Sequence, residues 1–239
     1  MSDTLPQPPP NAPPPPPSEA VLRSRKWRNW IYGVGILSVL IVLVGIALSP
    51  TVFRSRKKTD ITEAISNLRQ VGLALMEFES EYGSFPDDST QQLVQNRNPG
   101  NTIPLGTASS NDYFRQLIAA GIAPTEVMFY AKTPGSHKPD NIMTGNHALE
   151  KGECGFAYVF GLSPAGNPNR PLVLYPVVPG KSLFDPKIYD GKIMILKMDN
   201  SVTSYPVDKS GHVKINGKDL FDPSQPFWNG KVPVVKWPE

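Results

Sequence analysis

The sequence predicts an α+β fold carried on a single N-terminal transmembrane helix, with a long amphipathic helix packed on a C-terminal antiparallel sheet. Three observations predict it. Residues 31–48 carry no charge and no proline, and nearly every one is apolar. Residues 59–82 repeat apolar side chains at three- and four-residue steps, the period of one helix face. From Phe156 onward the chain breaks into short apolar runs separated by turn signals. Helices first and strands last is the α+β order.

The chain divides into a proline-rich tail over residues 1–22, an anchor with basic flanks over 23–58, and a domain over 59–239. Nine prolines fall between Pro6 and Pro17. Such a segment cannot build a core and reads as an extended, disordered tail. It serves as a spacer, with a docking peptide for an SH3-like partner as the alternative. The span itself covers about residues 30–49, enough for a bilayer core of roughly 30 Å. Arg23-Ser-Arg-Lys-Trp-Arg28 precedes it and Arg54-Ser-Arg-Lys-Lys58 follows it. These clusters suit lipid headgroups, and Trp27, Trp30 and Tyr32 suit an interfacial belt. The run exceeds a signal-peptide core of about 7–15 residues, and Ser49-Pro50-Thr51 is a poor cleavage site, so the segment reads as a retained anchor. The flanks hold four Lys/Arg on each side, a tie under the positive-inside rule. The tail has no export signal of its own and the folded mass is C-terminal. The expected topology is therefore single-pass in the inner (cytoplasmic) membrane, tail cytoplasmic and domain periplasmic or extracytoplasmic.

In the domain, Ile61, Ala64, Ile65, Leu68, Val71, Gly72, Leu75 and Phe78 form one helical stripe, with Glu63, Asn67, Arg69, Gln70 and Glu77 mostly off it. Asp60 and Glu63 have capping-box spacing. Gly83 is the C-terminal stop, and Pro86 prevents resumption. The helix and the anchor are close enough to form one rod kinked near Pro50. A Gly/Asn/Pro linker follows near residues 96–101. Ser109 and Asp112 signal a second helix over Ser109 to Ala120, with Phe114, Leu117 and Ile118 on its buried side and Gly121 as its stop.

Five strands are predicted: Phe156–Phe160, Leu172–Val178, Lys192–Met198, Ser201–Val207 and His212–Ile215. Asp199-Asn200 and Asn216-Gly217 read as two-residue type I′ turns. Strands this close in sequence pair antiparallel. There is no internal repeat.

Charge and cysteine exclude several classes. Residues 20–58 hold eight Lys/Arg and no acid, whereas residues 59–239 hold 16 Lys/Arg and 19 Asp/Glu. The net +3 is thus juxtamembrane, and the acidic domain argues against a nucleic-acid partner. One cysteine, Cys154, excludes an intrachain disulfide and reads as a buried thiol. His137, His147 and His212 lie apart in loops without metal-ligand spacing. There is no G-x-S-x-G elbow, P-loop or G-x-G-x-x-G, and Ser163 reads as a turn residue. Asp185, Asp190, Asp199, Asp208 and Asp222 sit in turns, where Asp serves the backbone, rather than as a Ca²⁺ set or a glycosidase pair. Phe221, Phe227, Trp228 and Trp237 close the core, with a recognition surface as the alternative. No catalytic, cofactor-binding or metal-binding residue is assigned, no cofactor and no small-molecule substrate is inferred, and the chain is not read as an enzyme.

The anchor, the helix Thr62-Glu-Ala-Ile-Ser-Asn-Leu-Arg-Gln-Val-Gly-Leu-Ala-Leu-Met-Glu-Phe78, its ending Glu81-Tyr-Gly-Ser-Phe-Pro86 and the terminal sheet together resemble type IV pilins and type II secretion pseudopilins. The Tyr82-Gly83-x-Phe85-Pro86 ending is similar to that of major-pseudopilin-like proteins. The hairpin Asp190-Gly-Lys-Ile-Met-Ile-Leu-Lys-Met-Asp-Asn-Ser-Val202 resembles the pilin-like families of planctomycetes and verrucomicrobia. The resemblance covers residues 30–86, with a weaker echo at 156–207. It implies a pilin-like α+β domain working by protein–protein contact with envelope or secretion-system proteins. One departure stands out: prepilins carry a Gly before the cleaved bond and a Glu five residues into the mature chain. Here Gly33 and Gly35 are followed at that distance by Ser38 and Leu40, and residues 29–50 hold no carboxylate. The expectation is a pilin-like domain on a permanent anchor, without the prepilin peptidase site. The alternative of another class is a membrane-tethered envelope enzyme or carbohydrate-binding domain.

Overall fold

The computed structural model describes residues 19–47 and 50–239. Most of the proline-rich tail lies outside them, as do residues 48 and 49, beside the kink expected near Pro50. The chain divides into two compact units, residues 1–54 and 55–239. The first carries α1, Glu19–Ala47, whose first turn takes in the last residues of the predicted tail. Within it Asn29–Ile46 is the one window among the described residues long and apolar enough to cross a membrane, and all of it is exposed.

Helix α2 runs over Pro50–Tyr82. It starts nine residues before the predicted helix start at Thr59, so Asp60 and Glu63 are not a cap. Proline fits a first helical position, and no glycine or proline interrupts the chain from there to Thr59. Asp60 instead takes an ion pair from Lys132 at 3.0 Å. The predicted stripe is buried through Ala64, Leu68, Val71, Leu75 and Phe78. Gly83 adopts φ 80° and stops the helix.

A short helix α3, Thr90–Arg97, replaces the start of the predicted linker. Asp87 Oδ1 accepts from Ser89 and Thr90 N–H at 2.8 and 2.9 Å, which supplies the missing acceptors at its N-terminus. Helix α4, Ser110–Ala119, carries the expected capping box between Ser109 and Asp112. Thr90 and Gln116 join α3 to α4 through a 2.6 Å hydrogen bond. A 3₁₀ turn follows at Glu126–Phe129, and another at Gly145–His147.

The main sheet comprises β1 (Ala157–Phe160), β2 (Pro171–Tyr175), β3 (Lys192–Lys197), β4 (Val202–Pro206) and, completing it after the two-stranded ribbon β5 (Lys214–Ile215) and β6 (Lys218–Asp219), β7 (Val234–Lys236). Its order is β4-β3-β2-β1-β7, all antiparallel. The first four strands are a meander, and the unpredicted β7 adds to β1. Strand β2 ends at Tyr175 because Pro176 has no N–H for the ladder. The fifth predicted strand belongs to the separate ribbon, β5 with β6, which Asn216 (φ 52°) and Gly217 (φ 81°) close as a type I′ turn should. The β3–β4 turn differs from the prediction. Only Asn200 has positive φ (62°), and its N–H bonds Lys197 O at 3.0 Å. A type I′ turn needs both central residues there, so this loop is a turn followed by one left-handed residue.

Both faces of the central strands β1, β2 and β3 are buried, while the edge strands β4 and β7 are half-buried to exposed. Phe156, Tyr158, Tyr175, Met194 and Leu196 face α2 and α4. Val159, Leu174, Ile193 and Ile195 face Leu220, Phe227 and Trp228 of the C-terminal segment. Such strands read as apolar runs rather than alternating ones.

Candidate functional site

One buried polar side chain of α2, Asn67, holds the turn that follows α4. Off the predicted stripe, it is nonetheless buried, and its Nδ2 donates to Val127 O at 2.9 Å and Tyr130 O at 2.8 Å. This fastens the 3₁₀ turn Glu126–Phe129 to α2. Phe129 stacks on Phe114 of α4 with ring centres 5.2 Å apart. The turn is therefore held from two helices, and Glu126 starts it.

The loop leading to β1 is held from α4 as well. Arg115 Nε and Nη2 donate to the carbonyls of Ala148 and Leu149, both at 2.9 Å. Asn111 Nδ2 donates to Leu149 O and Glu150 O, both at 3.1 Å. Leu149 is thereby kept at φ 50°, an uncommon conformation for an apolar side chain. Its N–H points at Glu126 Oε1, 2.5 Å away.

These constraints gather three carboxylates. One oxygen each of Glu126, Asp140 and Glu153 lies within 4.8 Å of the others. Glu126 is 0% exposed and Glu153 2%, while Asp140 opens to solvent. Backbone amides orient all three. Glu153 accepts from Asp140 N–H at 3.1 Å and Glu150 N–H at 2.7 Å, and Asp140 Oδ1 accepts from Ile142 N–H at 2.8 Å. Glu126 Oε2 has no hydrogen-bond partner. The ion pairs among the described residues lie elsewhere: the Arg115 guanidinium is taken by Asp112 at 2.8 Å, and His147 by Glu150 at 2.7 Å. Burial pushes the Glu126 carboxyl above its ordinary value. The Glu153 and Asp140 charges push the same way, against the pull of the Leu149 N–H bond. A group of this kind can share a proton or hold a cation. Nothing in the sequence flagged it, because three acids on three separate segments have no spacing to read.

The residues weighed from sequence fall elsewhere. His137, His147 and His212 are exposed in loops and turns. His212 pairs with Asp219 at 2.8 Å. Asp185, Asp199, Asp208 and Asp222 each accept a backbone N–H from two residues ahead, as turn aspartates do, while Asp190 sits at φ 56°. Cys154 is buried and unpaired, and burial pushes its thiol up to about 12. Phe227 and Trp228 are buried and Phe221 and Trp237 half-buried beneath the sheet's outer face. Beside them a cleft of about 400 Å³ is walled by Asn169, Ile195, Lys197, Tyr205 and Phe227, among others, with no carboxylate, histidine or cysteine in its lining.

No family model, curated protein or solved structure matches the chain.

Proposed function

We propose that this chain is a single-pass protein of a bacterial inner membrane that presents a pilin-like α+β domain on the extracytoplasmic side and acts through contacts with envelope or secretion-system proteins. The observation that carries this reading is the order of parts. A fully exposed apolar helix window, Asn29–Ile46, precedes a helix whose buried stripe lies along a terminal antiparallel sheet. An exposed apolar run of this length is stable in hydrocarbon and costly in water. The absence of any carboxylate from residues 29–50 supports an anchor that stays in the bilayer. The buried Trp228, the half-buried Trp237 and the acid-free cleft beside them favour this reading over a tethered enzyme or sugar-binding domain.

The test is protease accessibility in spheroplasts combined with carbonate extraction. The chain should stay in the membrane pellet, and added protease should digest residues 59–239 while sparing the tail. Release by carbonate would refute the anchor, and a protected domain would reverse the topology. Crosslinking in cells should give adducts with the full chain and none with a chain ending at residue 58. Identical adduct patterns would refute the contact role of the domain.

A further inference from the structure

We propose that Glu126, Asp140 and Glu153 form a Ca²⁺ site that ties the 3₁₀ turn after α4 to the loop entering β1. Three independent facts converge on it. Two of the three carboxylates are essentially inaccessible, and buried carboxylates are held by pairing or by metal coordination. The ion pairs among the described residues leave all three without a cationic side chain. The inaccessible Glu126 Oε2 has no partner, although Oε1 of the same group is satisfied by Leu149.

The ligand chemistry favours calcium. One oxygen of each carboxylate lies within 4.8 Å of the others, and an all-oxygen, irregular ligand set suits Ca²⁺, which tolerates such geometry. Backbone amides already fix each carboxylate, from Leu149, Ile142, Asp140 and Glu150, so little ordering remains to be done on binding. Exposed Asp140 leaves one side to water, which completes the coordination shell. The site shares no residue with the Asp-containing turns of the late strands. Its role is structural: bound Ca²⁺ joins the turn held by Asn67 to the loop held by Arg115.

The test uses the full chain in detergent micelles, stripped with EGTA and exchanged into chelator-free buffer. Equilibrium dialysis with ⁴⁵Ca²⁺ should give saturable binding of one ion per chain, and Tm should rise with Ca²⁺ and much less with Mg²⁺. Asp140→Asn keeps the acceptor for Ile142 N–H on an exposed side chain and should weaken binding at least about tenfold, the scale of loss for altered metal shells. Glu126→Gln should weaken it further. No saturable uptake at millimolar Ca²⁺, or wild-type affinity in Asp140→Asn, overturns the site. An equal Tm rise with Mg²⁺ overturns its assignment to calcium. If Glu126→Gln does not fold, Asp140→Asn alone decides.

Discussion

Gly72 of α2 lies against the Asn200 side chain of the β3–β4 turn. A Cβ on Gly72 would come 2.0 Å from Asn200 Oδ1 and 3.0 Å from Leu196 Cδ1. The Asn200 side chain therefore occupies the space that a side chain at position 72 would take. Gly72→Ala gains about 1 kcal/mol of helix propensity, but it forces the Asn200 and Leu196 side chains to move, and overpacking of this kind costs about 1–3 kcal/mol. We expect a net loss of stability, recovered in large part by Asn200→Gly, which suits the φ of 62° and removes the clashing oxygen. A double-mutant cycle in urea should return a coupling of about 0.5–3 kcal/mol. Strict additivity would show that the two residues do not compete for one space.

Asn67 holds two carbonyls of the turn that carries Glu126. Asn67→Ala leaves Tyr130 O without its buried side-chain donor, while Val127 O keeps the Tyr130 N–H at 3.1 Å, at a cost of about 1–3 kcal/mol for one buried group left unpaired. It should also lower Ca²⁺ affinity, because the turn is a wall of the site. Unchanged unfolding midpoints and unchanged ⁴⁵Ca²⁺ uptake would remove Asn67 from both roles.

The Ser109 hydroxyl works in two directions, accepting from Asp112 N–H at 3.2 Å and donating to Glu239 Oε1 at 2.5 Å. Ser109→Ala should cost about 0.5–2 kcal/mol, the range for a lost N-cap, with Ser109→Thr restoring most of it. Thermal melts of both variants check this, and equal melting of Ala and wild type would show the cap to be idle.

Two carboxyls make opposite contributions to pH dependence. At Asp87, burial pushes the carboxyl up from its ordinary 3.8, but hydrogen bonds from Ser89, Thr90 and Ser84 outweigh it and bring the value lower. Its stabilisation is present above 3.8 and is lost as pH falls through the lower folded value. Glu126 lies above its ordinary 4.5, chiefly through burial. The folded state holds that proton longer than the unfolded one, so this contribution is full below 4.5 and is lost as pH rises through the folded value. In EGTA, Glu126→Gln should therefore gain on wild type as pH rises from 4.5 towards neutrality, and added Ca²⁺ should reverse the order. Tm measured from pH 3 to 8 gives both trends, and a pH-independent gap between the two proteins would contradict the burial of an ionising group.

Cys154 should be inert. Its thiol is buried and pushed up to about 12, and only the thiolate reacts readily. Iodoacetamide at pH 8 should label the chain in urea and leave it unlabelled under native conditions. Rapid native labelling would place the thiol at the surface.

Much of the local structure was legible. Gly83 and Gly121 stop their helices with φ of 80° and 76°, Ser109 and Asp112 form the capping box, and Asn216-Gly217 closes a hairpin. Each of these signals is complete within a few residues, because a cap or a turn satisfies backbone groups next to it. The predicted helix stripe was legible too, since burial of one face follows from a 3.6-residue period. The α3 segment was missed because its N-terminal acceptor, Asp87, lies ahead of the helix it serves. The apparent cap at Asp60 misled because a cap pattern is silent about whether the helix has already begun.

The sequence by itself determined the order of parts: an apolar helix, an amphipathic helix and a late antiparallel meander. Periodicity, turn chemistry and uninterrupted hydrophobicity are properties of neighbouring residues, so they need no fold to be read. Only the tertiary structure decided that Asn67 is a buried clamp, that β7 completes the sheet on β1, and that Trp228 seals its outer face. Only it brought Glu126, Asp140 and Glu153 together. Each of those outcomes joins segments distant in sequence, where what a side chain does depends on which other segment covers it.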